Sequence, residues 1–314
     1  MQAVVNLALP FFALIFTGYL AARAGMLGET TVSGLNTFVF YFALPALLLI
    51  ETFQAPAATG AVAGLLASYY LPGIALFGLL LLLGPRLFRL RPADAAIQSL
   101  GGVFSNVGFI GLPLVILLYG SEAALPAVLI VMGDTIVMLG LATAVVEGDL
   151  GGGRRGLAFL GQIGSGVIRN PIVTAGLIGL TLNLLSAPVP EPILRYGGLL
   201  ANAAGPCALF ALGATLAGRP MREGATETAY LVGMKLFVHP ALVALMAIWV
   251  FKLPAVWASV AILQAALPIA ANVYVLAQRY ERRPEQISTA IFISTAASVV
   301  TISLLISWLY TAPG

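Results

Sequence analysis

Two stretches of this chain set amide and hydroxyl side chains among helix breakers inside otherwise apolar sequence. Residues 96–119 carry Ser105, Asn106, Gly108, Gly111 and Pro113, and residues 255–278 carry Pro268 and Asn272 in Leu-Pro-Ile-Ala-Ala-Asn. An asparagine amide can donate to a carboxylate and also accept. Where an apolar helix breaks, the new half-helix N-terminus presents unpaired N–H groups and roughly half a positive charge. Together these hold an organic anion without a Lys or Arg in the bilayer, whose insertion costs about 2.5–3.5 kcal/mol. Ser105, Asn106, Gly108, Pro113, Pro268 and Asn272 are therefore the candidate binding residues for a small organic anion. Phe104, Phe109, Leu267 and Tyr274 would surround its apolar body. The competing reading is that both asparagines only cap the broken ends.

Three ionisable residues lie inside apolar runs and are candidates for coupling to a cation. Asp134, in Val-Met-Gly-Asp-Thr-Ile, could take a proton or help hold Na⁺, or stay protonated in a structural bond. Lys235 could balance an anion or snorkel to an interface. His239 could relay protons or simply pack. Chemistry beyond this is thin. One cysteine, Cys207, excludes an internal disulfide and a multi-cysteine metal site, and one histidine excludes His-pair zinc motifs. No nucleophile–base pair stands at useful spacing, so no enzymatic activity, metal or cofactor is expected, apart from coupling Na⁺ or H⁺. Gly151, Gly153 and Gly156 match a dinucleotide fingerprint, but no strand precedes them and Arg154 and Arg155 lie among them, as in a connector.

The elements that must position these residues follow from composition. Of 314 residues, 60% are hydrophobic and 9% charged, against about 25% charged in soluble domains. Mean hydropathy is +1.02. An all-α polytopic membrane protein is expected, with no nucleic-acid partner. A span needs about 20 apolar residues, which places ten at approximately 3–22, 34–53, 61–84, 96–119, 124–146, 164–185, 197–217, 228–251, 255–278 and 287–309. The first lacks a basic leader and cleavage site and is expected to be retained.

Arginines gather in alternate connections: Arg23; Arg86, Arg89 and Arg91; Arg154 and Arg155; Arg219 and Arg222; Arg279, Arg282 and Arg283. The others hold only Arg195 and Lys252. Arg169 would anchor the start of span six, and Glu51 would be solvated at the outer end of span two. The positive-inside rule makes the Arg-rich connections cytoplasmic and both termini external. Five crossings per half force the second half to enter from the opposite side, so a repeat must be inverted. Leu44-Pro45-Ala46 then answers Gly205-Pro206-Cys207, Pro72 answers Pro240, and Asn106 answers Asn272. The first repeat is 1–146, the connector 147–163 and the second repeat 164–314. Gly197, Ala201, Gly205, Gly213 and Ala217 suit close helix packing, within the chain or across a homodimer. Asn202 would bond across helices or face the ligand path.

The runs Phe104-Ser-Asn-Val-Gly-Phe-Ile-Gly-Leu-Pro113, Asn170-Pro171, Ala266-Leu-Pro-Ile-Ala-Ala-Asn272 and Phe42-Ala-Leu-Pro-Ala46 resemble the auxin efflux carrier family, with its plant carriers and bacterial malonate or malate permease-like proteins. The resemblance runs over essentially all ten spans. It implies two inverted five-helix repeats, as in sodium–proton antiporters and bile-acid symporters, with unwound spans four and nine crossing. It also implies a scaffold of spans one, two, six and seven, often dimeric, and a moving domain of the remainder. The short connector departs from the long loop of the plant carriers.

These features point to a secondary transporter in a cell membrane, expected to be a bacterial inner membrane. It would move an auxin-like monocarboxylate or a dicarboxylate such as malonate or malate by alternating access, with efflux as the expected direction. A Na⁺- or H⁺-coupled importer on the same fold is one alternative, and a ligand-binding membrane receptor without transport is another.

Overall fold

The computed structural model describes residues 2–55, 60–150, 170–217 and 225–311. Arg154, Arg155, Arg169, Arg219, Arg222 and the glycine fingerprint lie outside the described residues. Among the described residues twelve helices run in order: α1 (Gln2–Arg23), α2 (Glu29–Phe53), α3 (Val62–Phe88), α4 (Pro92–Val103), α5 (107–119), α6 (124–149), α7 (Pro171–Leu184), α8 (Glu191–Ala217), α9 (Ala225–Val250), α10 (Ala255–Ala266), α11 (Ala271–Arg279) and α12 (Pro284–Thr311). No strand occurs among the described residues. Among the described residues six stretches are long and apolar enough to cross a membrane: α2, α3, the run Val107–Asp149, α8, α9 and α12. That run divides between α5 and α6 at Gly120, whose φ of 60° suits glycine. Phe12–Arg23, Pro171–Leu184 and Ala255–Ala266 are shorter apolar helices.

Proline shapes several of these helices. A proline inside a helix lacks one N–H and crowds the carbonyl four residues back. In α2, α5 and α9 a π-helical turn precedes it: Val39–Ala43 before Pro45, Val107–Gly111 before Pro113, and Met234–Val238 before Pro240. The wider turn re-routes the displaced carbonyls, so each helix continues past its proline. A further π turn, Asp134–Met138, starts at Asp134 itself.

Two breaks interrupt helices outright. Phe104 leaves α4 in an extended conformation, with ψ of 110°. Leu267 leaves α10 with ψ of 156°, the conformation that a following proline, Pro268, favours. The freed backbones satisfy one another. Asn106 N–H donates to the Pro268 carbonyl at 2.9 Å, and Ala270 N–H donates to the Phe104 carbonyl at 3.2 Å. Ser105 and Ile269 thereby form an antiparallel bridge. Ile269 N–H donates to Ser294 Oγ on α12 at 3.2 Å. Non-helical backbone survives among apolar side chains because each exposed group finds a partner. The core closes around this crossing, with Ser105, Leu267 and Ile269 fully buried.

Glycine sets the closest approach. A Cβ on Gly213 of α8 would strike the Ile15 carbonyl of α1, and one on Gly18 would strike the Phe210 carbonyl. Gly197 meets Ile50 in the same way. The small residues of α8 thus serve packing within the chain. Glu51 is half-buried rather than fully solvated.

Candidate functional site

A cavity of about 80 Å³ lies beside the crossing. Ser105, Asn106, Gly108 and Asn272, all singled out from sequence, line it together with Asp134. Pro113 and Pro268, also singled out from sequence, are not among the lining residues. Pro113 is buried beside Gly205, and Pro268 supplies its carbonyl to Asn106. Both shape backbone rather than face the cavity. Phe104 and Phe109 form apolar walls, whereas Leu267 and Tyr274 are not among the lining residues.

The two asparagines differ in local role. Asn106 is 6% exposed and caps α5: its Oδ1 accepts from Phe109 N–H at 3.3 Å. That orientation turns Nδ2 away from the helix. Asn272 is exposed at the second position of α11, whose N-terminal residue Ala270 makes no side-chain cap. Capping therefore explains Asn106 in part and Asn272 not at all. In the first turn of α5, Val107 N–H donates to the Ser105 carbonyl, Phe109 N–H to Asn106 Oδ1 and Ile110 N–H to the Asn106 carbonyl; in α11, Val273 N–H donates to the Ala270 carbonyl. Both helices begin at the cavity.

A third helix start reaches the same space, which the sequence did not reveal. Asn170 lines the same cavity and caps α7, accepting from Ile172 N–H at 3.0 Å and Val173 N–H at 3.5 Å. Asn-Pro is a legible helix opening, but nothing local says where it points. Thr135 also lines the cavity, its hydroxyl donating to the Val131 carbonyl at 3.2 Å.

Asp134 is 1% exposed, and neither carboxylate oxygen has a hydrogen-bond partner of good geometry. Tyr70 adjoins it, but that hydroxyl donates to the Ile130 carbonyl at 2.6 Å. Ser105 Oγ is likewise buried without a partner of good geometry, with the Tyr69 hydroxyl adjoining it. Buried polar groups are seldom left so, and both of these line the cavity. Among the described residues, no three His, Cys, Asp or Glu side chains come together to hold a metal.

Lys235 overturns the snorkelling expectation. It is fully buried, and Nζ donates to the Ala265 carbonyl at 2.5 Å. That carbonyl belongs to the last turn of α10, where orphan acceptors and the negative dipole end favour a cation. His239 is buried too, its ring 5.7 Å from that of Tyr69 and Nδ1 unpartnered. Neither residue lines the cavity.

A larger cavity of about 610 Å³ lies between α1, α2 and α8. Glu29, Ser33, Asn36 and Thr37 present one face of α2 to it, and Asn36 Nδ2 donates to Thr215 Oγ1 at 3.2 Å. Phe40 and Phe109 line both cavities. Asn202 is exposed and lines neither.

An all-helical apolar chain with a small polar cavity at two crossed helix breaks has the build of a membrane transport protein. Known proteins agree. The family model for "Membrane transport protein" matches residues 3–148 and 155–306, and the chain belongs to that family, the auxin efflux carrier-like one. It is 34% identical over 303 residues to the "Putative malonate transporter" of Rhizobium meliloti (strain 1021), covering 96% of this chain and 95% of that protein. It is 34% identical over 131 residues to "Auxin efflux carrier component 1" of Arabidopsis thaliana, 40% of this chain and 21% of that one. It is 27% identical over 323 residues to the "Lysosomal cholesterol signaling protein" of Mus musculus, 96% of this chain and 37% of the relative.

Proposed function

We propose that this membrane transport protein carries a small carboxylate by alternating access, binding it at the crossing of the two broken helices. One observation carries the reading: Asn106 and Asn272, with the N-terminal ends of α5 and α11, meet at one cavity. Each contributes donors where a carboxylate would sit, and the half-helix dipoles add positive potential. The cavity is small, about 80 Å³. The malonate named for the bacterial relative is the natural first probe.

On this reading ten segments cross the membrane as two inverted repeats, 1–146 and 164–314. Spans one, two, six and seven form a scaffold, and the rest move with the crossing. The Arg-rich connections face the cytoplasm, both termini lie outside, export is the direction, and two copies pair. Asp134 supports a second reading. A buried carboxylate beside an anion site calls for a proton or Na⁺ to neutralise it, as in a coupled importer.

The test is malonate affinity on purified protein, with melting temperature recorded alongside. Losing a hydrogen bond to a charged group costs about 1.5–3 kcal/mol, roughly ten- to a hundredfold in affinity. Asn106→Ala and Asn272→Ala are each expected to weaken binding by that factor. Asn202→Ala, exposed and off both cavities, is expected to leave it unchanged. Asn183 does not serve as the silent control its distance suggests, because its Nδ2 ties α7 to the Phe53 and Ala55 carbonyls at the end of α2. Normal binding by both crossing variants would place the site elsewhere. Weakened binding that only tracks a lower melting temperature would reduce the asparagines to structural roles.

A further inference from the structure

We infer that Asn170 is a third ligand of the anion, donating from the start of α7 to the carboxylate held at the crossing. The inference rests on the carboxylate reading above and deepens it.

The geometry of the cap fixes the amide. Both N–H groups that Asn170 serves, on Ile172 and Val173, require an acceptor, so Oδ1 faces the helix. Nδ2 must then point the other way, and it has no hydrogen bond among the described residues. Asn170 and Ile172 both line the crossing cavity. Three helices therefore start at one small space, and α7 adds its dipole to those of α5 and α11, while its first-turn N–H groups are already taken by Asn170. The space itself is short of partners. Ser105 Oγ and both oxygens of Asp134 are buried there without a hydrogen-bond partner of good geometry. An occupant with acceptors suits Ser105 and the amides, and Asp134 then answers to the accompanying cation or proton.

The third contact differs from the other two in what holds it. α7 is fastened to α2: Thr52 Oγ1 donates to the Gly176 carbonyl at 3.0 Å, and a Cβ on Gly179 would strike Thr52 and Leu49. Asn106 and Asn272 stand on the broken helices instead. An anion between them is gripped by both bodies at once. On the alternating-access reading, moving one body past the other breaks the Asn170 contact and keeps the crossing pair. The carboxylate would be held by three amides in this arrangement and by two in the opposite one.

Conservative variants separate capping from ligand contact. Serine and aspartate cap a helix about as well as asparagine. Asn170→Ser keeps an acceptor for Ile172 N–H and removes the two amide donors. Asn170→Asp keeps the acceptor and places a negative charge against the anion. Binding is measured by calorimetry with malonate, succinate, acetate and indole-3-acetate on purified full-length protein, with melting temperatures read without ligand. Both variants are expected to melt like the wild type. Asn170→Ser should weaken malonate binding about tenfold, and Asn170→Asp about a hundredfold or more. Unchanged affinity in both, while Asn106→Ala loses affinity, would leave the crossing site standing and overturn the third contact. If wild type binds none of the four acids, the carboxylate site falls and this inference with it.

Discussion

Asp134 poses the sharpest question at the scale of single residues. Its carboxylate is buried without a hydrogen bond beside a space that three amides line. An ionised Asp134 and a bound anion would repel across a few ångströms of low-dielectric surroundings, where Coulomb energies are several times those in water. The Lys235 ammonium is already committed to the Ala265 carbonyl. A proton or Na⁺ on Asp134 removes the repulsion. Malonate binding by the wild type is therefore expected to strengthen as pH falls, within the range where malonate itself stays ionised, or as Na⁺ rises. In Asp134→Asn the carboxylate is replaced by a neutral amide of the same shape, and that dependence should flatten. Binding isotherms across a pH and Na⁺ series check this. Equal dependence in wild type and variant would make Asp134 a structural residue.

At the scale of elements, α1 and α8 are joined by contacts that tolerate no extra carbon. Gly213 lies against the backbone of Ile15, whereas a Cβ on Gly205 would find only Pro113 Cβ at 3.6 Å, an ordinary contact. The two glycines share a helix and a spacing but not an environment. Gly213→Ala must push α1 away, and overpacking of this kind costs about 1–3 kcal/mol. Gly205→Ala should be neutral or mildly stabilising, since alanine is the better helix former by about 1 kcal/mol. Thermal unfolding in one detergent compares them. Equal melting temperatures would show that the α1–α8 contact is looser than described. The π turns ahead of Pro45, Pro113 and Pro240 belong to this scale too, since each lets a helix pass a proline that would otherwise kink or end it.

At the scale of the molecule, one end gathers a cluster of paired charged groups. Arg283 binds Glu227 through two contacts of 2.6 Å, and Gln98 Nε2 adds a third at 2.6 Å. Arg282 lies 3.8 Å from Asp94, and Tyr280 donates to Glu147 at 3.0 Å. Ends of α4, α6, α9, α11 and α12 are thereby tied together, so the connections after α3 and α11 open on the same side. If the Arg-rich side is cytoplasmic, cysteines placed at Arg89 and Arg282 in a Cys207→Ser background should both react only with reagent admitted to the cytoplasm. Labelling of both from outside would invert the proposed orientation. Labelling from opposite sides would contradict the shared end itself.

Local composition decided a large part of this protein by itself. Hydropathy and scarce charge require apolar helices, because no other open segment satisfies its backbone in a bilayer. Pro268 and the Ser105–Asn106–Gly108 run mark where two of those helices fail, since a proline or a poor helix former breaks a helix wherever the segment ends up. Asn106, Asn272 and Asp134 were legible as candidates because polar groups are costly inside apolar runs. What shares a cavity was not legible. Asn106, Asn170 and Asn272 stand far apart in sequence, and their convergence depends on how α5, α7 and α11 are rotated and crossed. The same holds for Lys235. Its stem is long enough to reach an interface, and only the packing of α9 against the end of α10 shows its ammonium on the Ala265 carbonyl instead. Hydropathy and helix breaking are properties of a segment; which side chains meet is a property of several segments packed together, and only the tertiary structure supplies it.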